Sequence, residues 1–256
     1  MTDNEARAQA AAEEVRAELA LGTAPIGDVF DFLHRLDGID AMSINAAGHE
    51  HGLTAPVLDG HLIIVAASDR PMRMRSSAMH ELGHVRLGHL TDESADLDPG
   101  YRTDEEIQAD SFARHLLLPL GEVNRRCADQ RDQRAPLEVL SDLSQDYGVS
   151  PAIAAIQMRD AGYITSADAS DYMRWSTPGI AAAYGWAGQY AAMQEASRTP
   201  RAPQRLTRKI VQGFDRGLVT RDEVRSWYPS GADELPEPTL PSPAVYDDGV
   251  DGDAFG

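Results

Sequence analysis

The sequence predicts an α+β chain that is mostly helical, with a small sheet packed beside a pair of helices and a helical bundle following. Three observations carry this. Apolar residues recur at helical spacing in many stretches, as at Ile26, Val29, Phe30, Leu33 and Leu36. Two short runs, Ile39–Ile44 and Leu62–Val65, have strand composition instead. Finally, His80-Glu81-Leu82-Gly83-His84 lies among Ala78, Met79, Val85 and Leu87, an apolar setting that suits a helix.

In chain order, residues 3–21 read as a first helix, stopped by Gly22 and Pro25. Ile26–Leu36 is a second, ended by Gly38. The two strands follow, joined by a polar, glycine-containing stretch. That stretch holds His49 and His51, which have no third partner nearby and read as a solvated loop; His61 borders the second strand as a surface or core residue. Ser76 and Ser77 are N-cap candidates for the next helix, which ends near Gly88-His89.

An α-helix turns about 100° per residue, so His80 and His84 lie one turn apart on one face. Two imidazoles at that offset can reach a single Zn²⁺ at about 2.0–2.1 Å. Glu81 is rotated off that line, where a general base belongs, beside the metal and its water. A third ligand ten residues after His80 is excluded, because Leu90 stands there and His89 is one residue short. Residues 103–118 supply another. Thr103 or Asp104 can cap a helix there, its acids suit the first turn, and Ile107, Phe112 and Leu116 give it an apolar face. Glu106 and Asp110 share one face. Glu106 can complete the metal triad, and Asp110 can accept the N–H of a ligand histidine and so fix its ring. Asp104 and Glu105 point away and complement the helix dipole. An oxyanion donor is also needed, for which Tyr101, His89, His115 or an arginine are candidates. His115 faces away from Glu106, and Tyr101 lies in the acidic connection 91–102.

The elements His80-Glu81-Leu82-Gly83-His84, then Glu106-Ile107-Gln108-Ala109-Asp110-Ser111-Phe112-Ala113, then Leu116-Leu117-Leu118-Pro119, together resemble the ImmA/IrrE metallopeptidases. The resemblance covers about residues 20–165, including the strand at 62–65 and Arg70, Arg73 and Arg75 before the helix. It implies a zincin-like helix pair, one Zn²⁺ per chain held by His80, His84 and Glu106, Glu81 as catalytic base and Asp110 behind the ligands. Asp110 stands where the family often has asparagine, and the C-terminal third shows no family pattern. Family members are similar in cleaving helix-turn-helix transcriptional repressors under stress or during mobile-element induction. A repressor of that kind is therefore the expected partner and transcription regulation the expected role. The alternative is a non-catalytic regulatory protein whose metal site is structural and which docks a repressor or DNA.

After Pro119 the chain runs into a charged stretch, Arg125 to Arg134. Residues 137–164 then outline a helix-turn-helix-like unit, with Leu137, Leu140 and Leu143 in one helix, a turn at 147–150, and Ile153, Ile156 and Met158 in the next. Arg159 is the second helix's sole cation, beside Glu138, Asp142, Asp146 and Asp160, so the unit reads as a structural or protein-contacting bundle rather than a DNA reader. Residues 166–196 carry Trp175, Tyr184, Trp186 and Tyr190 in further packed helices. Between Arg198 and Arg225 eight cations gather in two short helices joined at Gly217, the second capped by Thr220. This segment reads as a contact for an acidic partner, an intramolecular contact or a solvated face. The organisation expected is a metallopeptidase domain at 1–135, a helical region at 136–228 and an acidic disordered tail at 229–256.

Over 256 residues the net charge is −18, which argues against general nucleic-acid binding. The single cysteine, Cys127, excludes an intrachain disulfide and reads as a buried thiol. No apolar run reaches the ~18–20 residues of a membrane span, and the acidic, alanine-rich start is unlike a secretory signal, so the cytoplasm is the expected location.

Overall fold

A computed structural model describes residues 2–45, 52–90, 103–130 and 134–227, together with 233, 235 and 236. These residues form twelve helices and one three-stranded sheet, an α+β and mostly helical architecture. No described helix is long and apolar enough to cross a membrane. The chain divides into two compact units, Met1–Arg201 and Ala202–Gly256.

In the first unit, helix α1 (Asp3–Glu18) is capped by Thr2, whose hydroxyl accepts from the Glu5 N–H. It ends before Gly22: Ala20 already takes a left-handed φ of 53°. The buried Arg16 secures this turn by donating to the carbonyls of Gly22, Ala24 and Leu116. Helix α2 is shorter than its apolar pattern suggests, Val29–His34, because Asp28 caps it by accepting from Phe30 and Asp31.

Strands β1 (Ile39–Ile44), β2 (Gly52–Val57) and β3 (Gly60–Ala66) make a sheet in the order β1-β3-β2. β3 runs parallel to β1 and antiparallel to β2. β2 was not expected; Gly52 and Pro56 weaken its strand signal, and pairing with the central β3 supplies what propensity does not. The outer side of β1 exchanges backbone hydrogen bonds with Arg201. β2 forms the other edge.

Helix α3 (Pro71–Leu87) starts earlier than Ser76 or Ser77, which lie inside it, as do Arg73 and Arg75. Pro71 occupies the first turn, where its fixed φ and missing N–H carry no penalty. Buried Arg75 donates to the carbonyls of Ile26, Gly27, Tyr147 and Gly148, joining three segments. Burial lowers its pKa to about 10. Gly88 closes α3 in the left-handed region, φ 74°. Helix α4 (Asp104–Leu117) is capped by Thr103. It packs against α3 at Gly83, where an added Cβ would lie 3.1 Å from Ala109 Cα and 3.1 Å from Phe112 Cδ1.

Helices α5 (Leu120–Gln130), α6 (Pro136–Tyr147), α7 (Pro151–Asp160), α8 (Ser166–Tyr172), α9 (Thr177–Ala183) and α10 (Ala187–Arg198) complete the unit. α6 and α7 meet at Gly148, and Ser150 caps α7. They bury Val139, Leu140, Leu143, Ala154, Ala155 and Met158, while Arg159 pairs with Asp160. Cys127 is buried. Trp186 and Tyr190 are buried edge to face, the indole donating to Ser141; Trp175 and Tyr184 stay partly exposed.

In the second unit, α11 (Gln204–Asp215) and α12 (Arg221–Trp227) turn at Gly217 and enclose Phe214 and Val224. Thr220 and Glu223 cap each other, and Arg225 pairs with Asp222 and Asp233.

Candidate metal centre

One helical turn sets His80 and His84 with ring centroids 4.7 Å apart and Nε2 atoms facing at 3.0 Å. Glu106, from the first turn of α4, places its two carboxylate oxygens 3.2 Å from each of those nitrogens. Residues from two helices thus aim three ligand atoms at one point, the group that could hold a metal ion. Ligands about 2.0–2.1 Å from a tetrahedral ion sit about 3.3 Å from one another, so the observed spacings fit a divalent cation. Two imidazole nitrogens and a carboxylate are also a donor set suited to zinc.

The other ring nitrogen of His80 faces Asp110 at 2.8 Å, where a carboxylate holds the proton on Nδ1 and leaves Nε2 bare. Glu81 stays out of the trio. Its carboxylate accepts from Thr54 on β2 at 2.8 Å. Gly52, on the same strand, lies so close that an added Cβ would stand 2.9 Å from Glu81 Oε1. Burial raises the Glu81 carboxyl above its ordinary range, against the opposing pull of Thr54 and His80. Burial and the neighbouring His80 lower His84, favouring the neutral imidazole that a metal ligand needs.

The trio opens into a cleft of about 600 Å³, lined on one side by Gly52 and Leu53 of β2 and on the other by Glu106 and Asp110 of α4. The match of the family Peptidase_M78, IrrE N-terminal-like domain, covers residues 40–159. That span runs from β1 into the end of α7 and includes every residue of the trio. Residues 40–159 are thus similar to a Peptidase_M78 domain. The match suggests a metallopeptidase-like function for that span. It leaves α1, α2 and everything after α7 outside. No curated protein matches the chain.

Other histidines fall elsewhere. His115 is 3% exposed and meets Glu5 at 2.7 Å, a carboxylate it shares with Arg114, while its other nitrogen meets Gln157. It fastens α4 to α1. His61 pairs in register with Ile39 on the sheet. His49, His51 and Tyr101 lie outside the described residues.

Sequence reasoning missed Thr54, Gly52 and Gln108, and saw His89 only as a failed third ligand and an oxyanion candidate. Its ring instead stands edge-on to His84. A signal existed for it: the left-handed Gly88 cap folds the next residue back over the last turn, and the His89 N–H bonds to the His84 carbonyl at 2.9 Å.

Proposed function

We propose that this chain is a zinc-dependent endopeptidase that cleaves a helix-turn-helix transcriptional repressor at a specific site. The observation that carries the peptidase reading is Glu81, a half-buried carboxylate beside the trio, outside it and held from β2. A purely structural site has no use for such a base.

Zinc would be held by His80 Nε2, His84 Nε2 and the Glu106 carboxylate. When bound, it supplies Lewis acidity, polarising the scissile carbonyl and lowering the pKa of an adjacent water from 15.7 towards about 7. Glu81 takes the proton of the attacking water and returns it to the leaving amine. Thr54 keeps the carboxylate turned towards the cleft, and Asp110 holds His80 in the ligating tautomer. The substrate segment lies extended along β2, whose edge position and place at the cleft suit strand addition. Pro56 lacks a donor, so that pairing centres on the Gly52–Ala55 half of the strand. The repressor as substrate rests on the family resemblance.

The test compares wild type, Glu81→Gln and His80→Ala for zinc content and for cleavage of a helix-turn-helix protein encoded beside the chain. Glu81→Gln retains zinc and loses cleavage; His80→Ala loses both. Cleavage by Glu81→Gln defeats the assignment of the base, and a biological effect that survives this variant favours the non-catalytic binding reading.

A further inference from the structure

We propose that His89, Gln108 and Asn4 form a one-way hydrogen-bond relay that holds His84 in its metal-ligating tautomer, making α1 part of the metal centre. The inference rests on the zinc reading above and concerns residues to which that reading gives no role.

His84 turns Nε2 to the trio and Nδ1 to His89 Nδ1, 3.2 Å away. A neutral imidazole carries one proton, so an Nε2 that offers its lone pair leaves the proton on Nδ1. That proton needs an acceptor, which is His89 Nδ1. His89 then carries its own proton on Nε2, which faces Gln108 Oε1 at 3.2 Å. The Gln108 amide is thereby oriented, with its Nε2 donating to Asn4 Oδ1 at 2.8 Å. Asn4 in turn donates through Nδ2 to Asp104 Oδ1 at 3.0 Å. Asp104 is a carboxylate and accepts only.

Four successive contacts therefore share a single polarity, running from the metal ligand to an acid. Reversing any one of them sets two donors or two acceptors face to face. Gln108 is buried, so a mispaired amide end would carry the full penalty of an unsatisfied polar group. His80 reaches its acceptor, Asp110, directly. His84, one turn later in α3, reaches Asp104, the first residue of α4, through three side chains. The relay's third member comes from the first turn of α1, outside the matched family domain. It gives Asp104 a use beyond the helix dipole.

The experiment measures zinc affinity of the full chain by competition with a chelating dye, in wild type, His89→Phe, His89→Gln and Asn4→Asp, with His80→Ala as the baseline. Melting of the zinc-free proteins confirms that each variant folds. His89→Phe keeps the ring and loses both polar ends, and binds about 10- to 100-fold more weakly. His89→Gln keeps one acceptor and one donor and restores most of the loss. Asn4→Asp, which faces Asp104 with a second acceptor, weakens binding several-fold without touching the ligands. Nitrogen NMR of the zinc-loaded, histidine-labelled protein finds the proton on Nδ1 of His84 and on Nε2 of His89. Wild-type affinity in His89→Phe, equal losses in His89→Phe and His89→Gln, or the opposite His89 tautomer overturns the relay while leaving the zinc centre intact. Unchanged affinity in Asn4→Asp removes α1 from it. A wild-type chain that binds no zinc, or binds it equally after His80→Ala, overturns the centre and the relay together.

Discussion

Replacing Gly83 by alanine tests how the site is assembled. The new methyl would stand 3.1 Å from Ala109 Cα, 3.1 Å from Phe112 Cδ1 and 3.3 Å from the Ala109 carbonyl oxygen. Carbon pairs are comfortable at about 3.5–4.0 Å, so α4 must retreat by a few tenths of an ångström. Two of the three obstructing atoms are backbone and cannot rotate away. Overpacking of this kind costs about 1–3 kcal/mol, while alanine in a helix interior recovers about 1 kcal/mol over glycine. The balance is a loss of about 0–2 kcal/mol, a fall in Tm of roughly 0–8 °C for a unit of this size. The effect on zinc is larger in proportion. Ala109 lies one turn from Glu106, so the retreat draws that carboxylate away from both histidines, and metal sites tolerate only about 0.2 Å. Zinc affinity should fall about tenfold. Melting curves with and without zinc, together with chelator competition, read both quantities. An alanine variant that melts higher than wild type and binds zinc equally refutes the claim that Gly83 sets the distance between the helices.

Three other substitutions probe separate devices. Thr54→Val keeps the shape and removes the hydroxyl that holds Glu81; cleavage should fall about tenfold, as expected for a hydrogen bond to a charged group, with zinc content unchanged, and equal rates would refute the positioning role. Arg75→Met strands the four carbonyls it serves and should cost about 3 kcal/mol or more by urea unfolding; a loss under 1 kcal/mol would contradict the hub. Glu122 is held at a pKa of about 2, against an ordinary 4.5, by hydrogen bonds from Arg125 and Arg126. A pKa depressed by folding stabilises the native state fully above pH 4.5, and that contribution disappears as pH falls towards 2. Because Arg125 is largely exposed, screening reduces the full value to about 1–2 kcal/mol. The stability gap between wild type and Glu122→Gln should therefore narrow as pH falls below 4.5, and a gap constant down to pH 3 would exclude this account.

Much of the site was legible because its determinants are local. The offset between His80 and His84 follows from helix geometry alone. Thr103 and the acids after it announce the start of α4, and one turn of helix puts Glu106 and Asp110 on a common face. Gly148, Gly217 and Thr220 likewise mark turns and a cap by short-range chemistry. Elements whose signal is weak or shared were misread. α3 begins at Pro71 because a proline at the first turn outranks serines that can equally lie within a helix. β2 was overlooked because a glycine, a proline and small residues form a strand only when a finished neighbour offers its hydrogen bonds.

What the sequence determined by itself is the list of candidate ligands and the face each occupies, since periodicity and capping act within a few residues. What tertiary structure decided is their meeting: Gly83 lets α4 approach until Glu106 reaches two histidines on another helix. Thr54 reaches Glu81 from a strand 27 residues earlier, and Asn4 reaches Gln108 across 104 residues. Such contacts depend on packing between distant segments, and no local pattern in the chain encodes a distance of that kind.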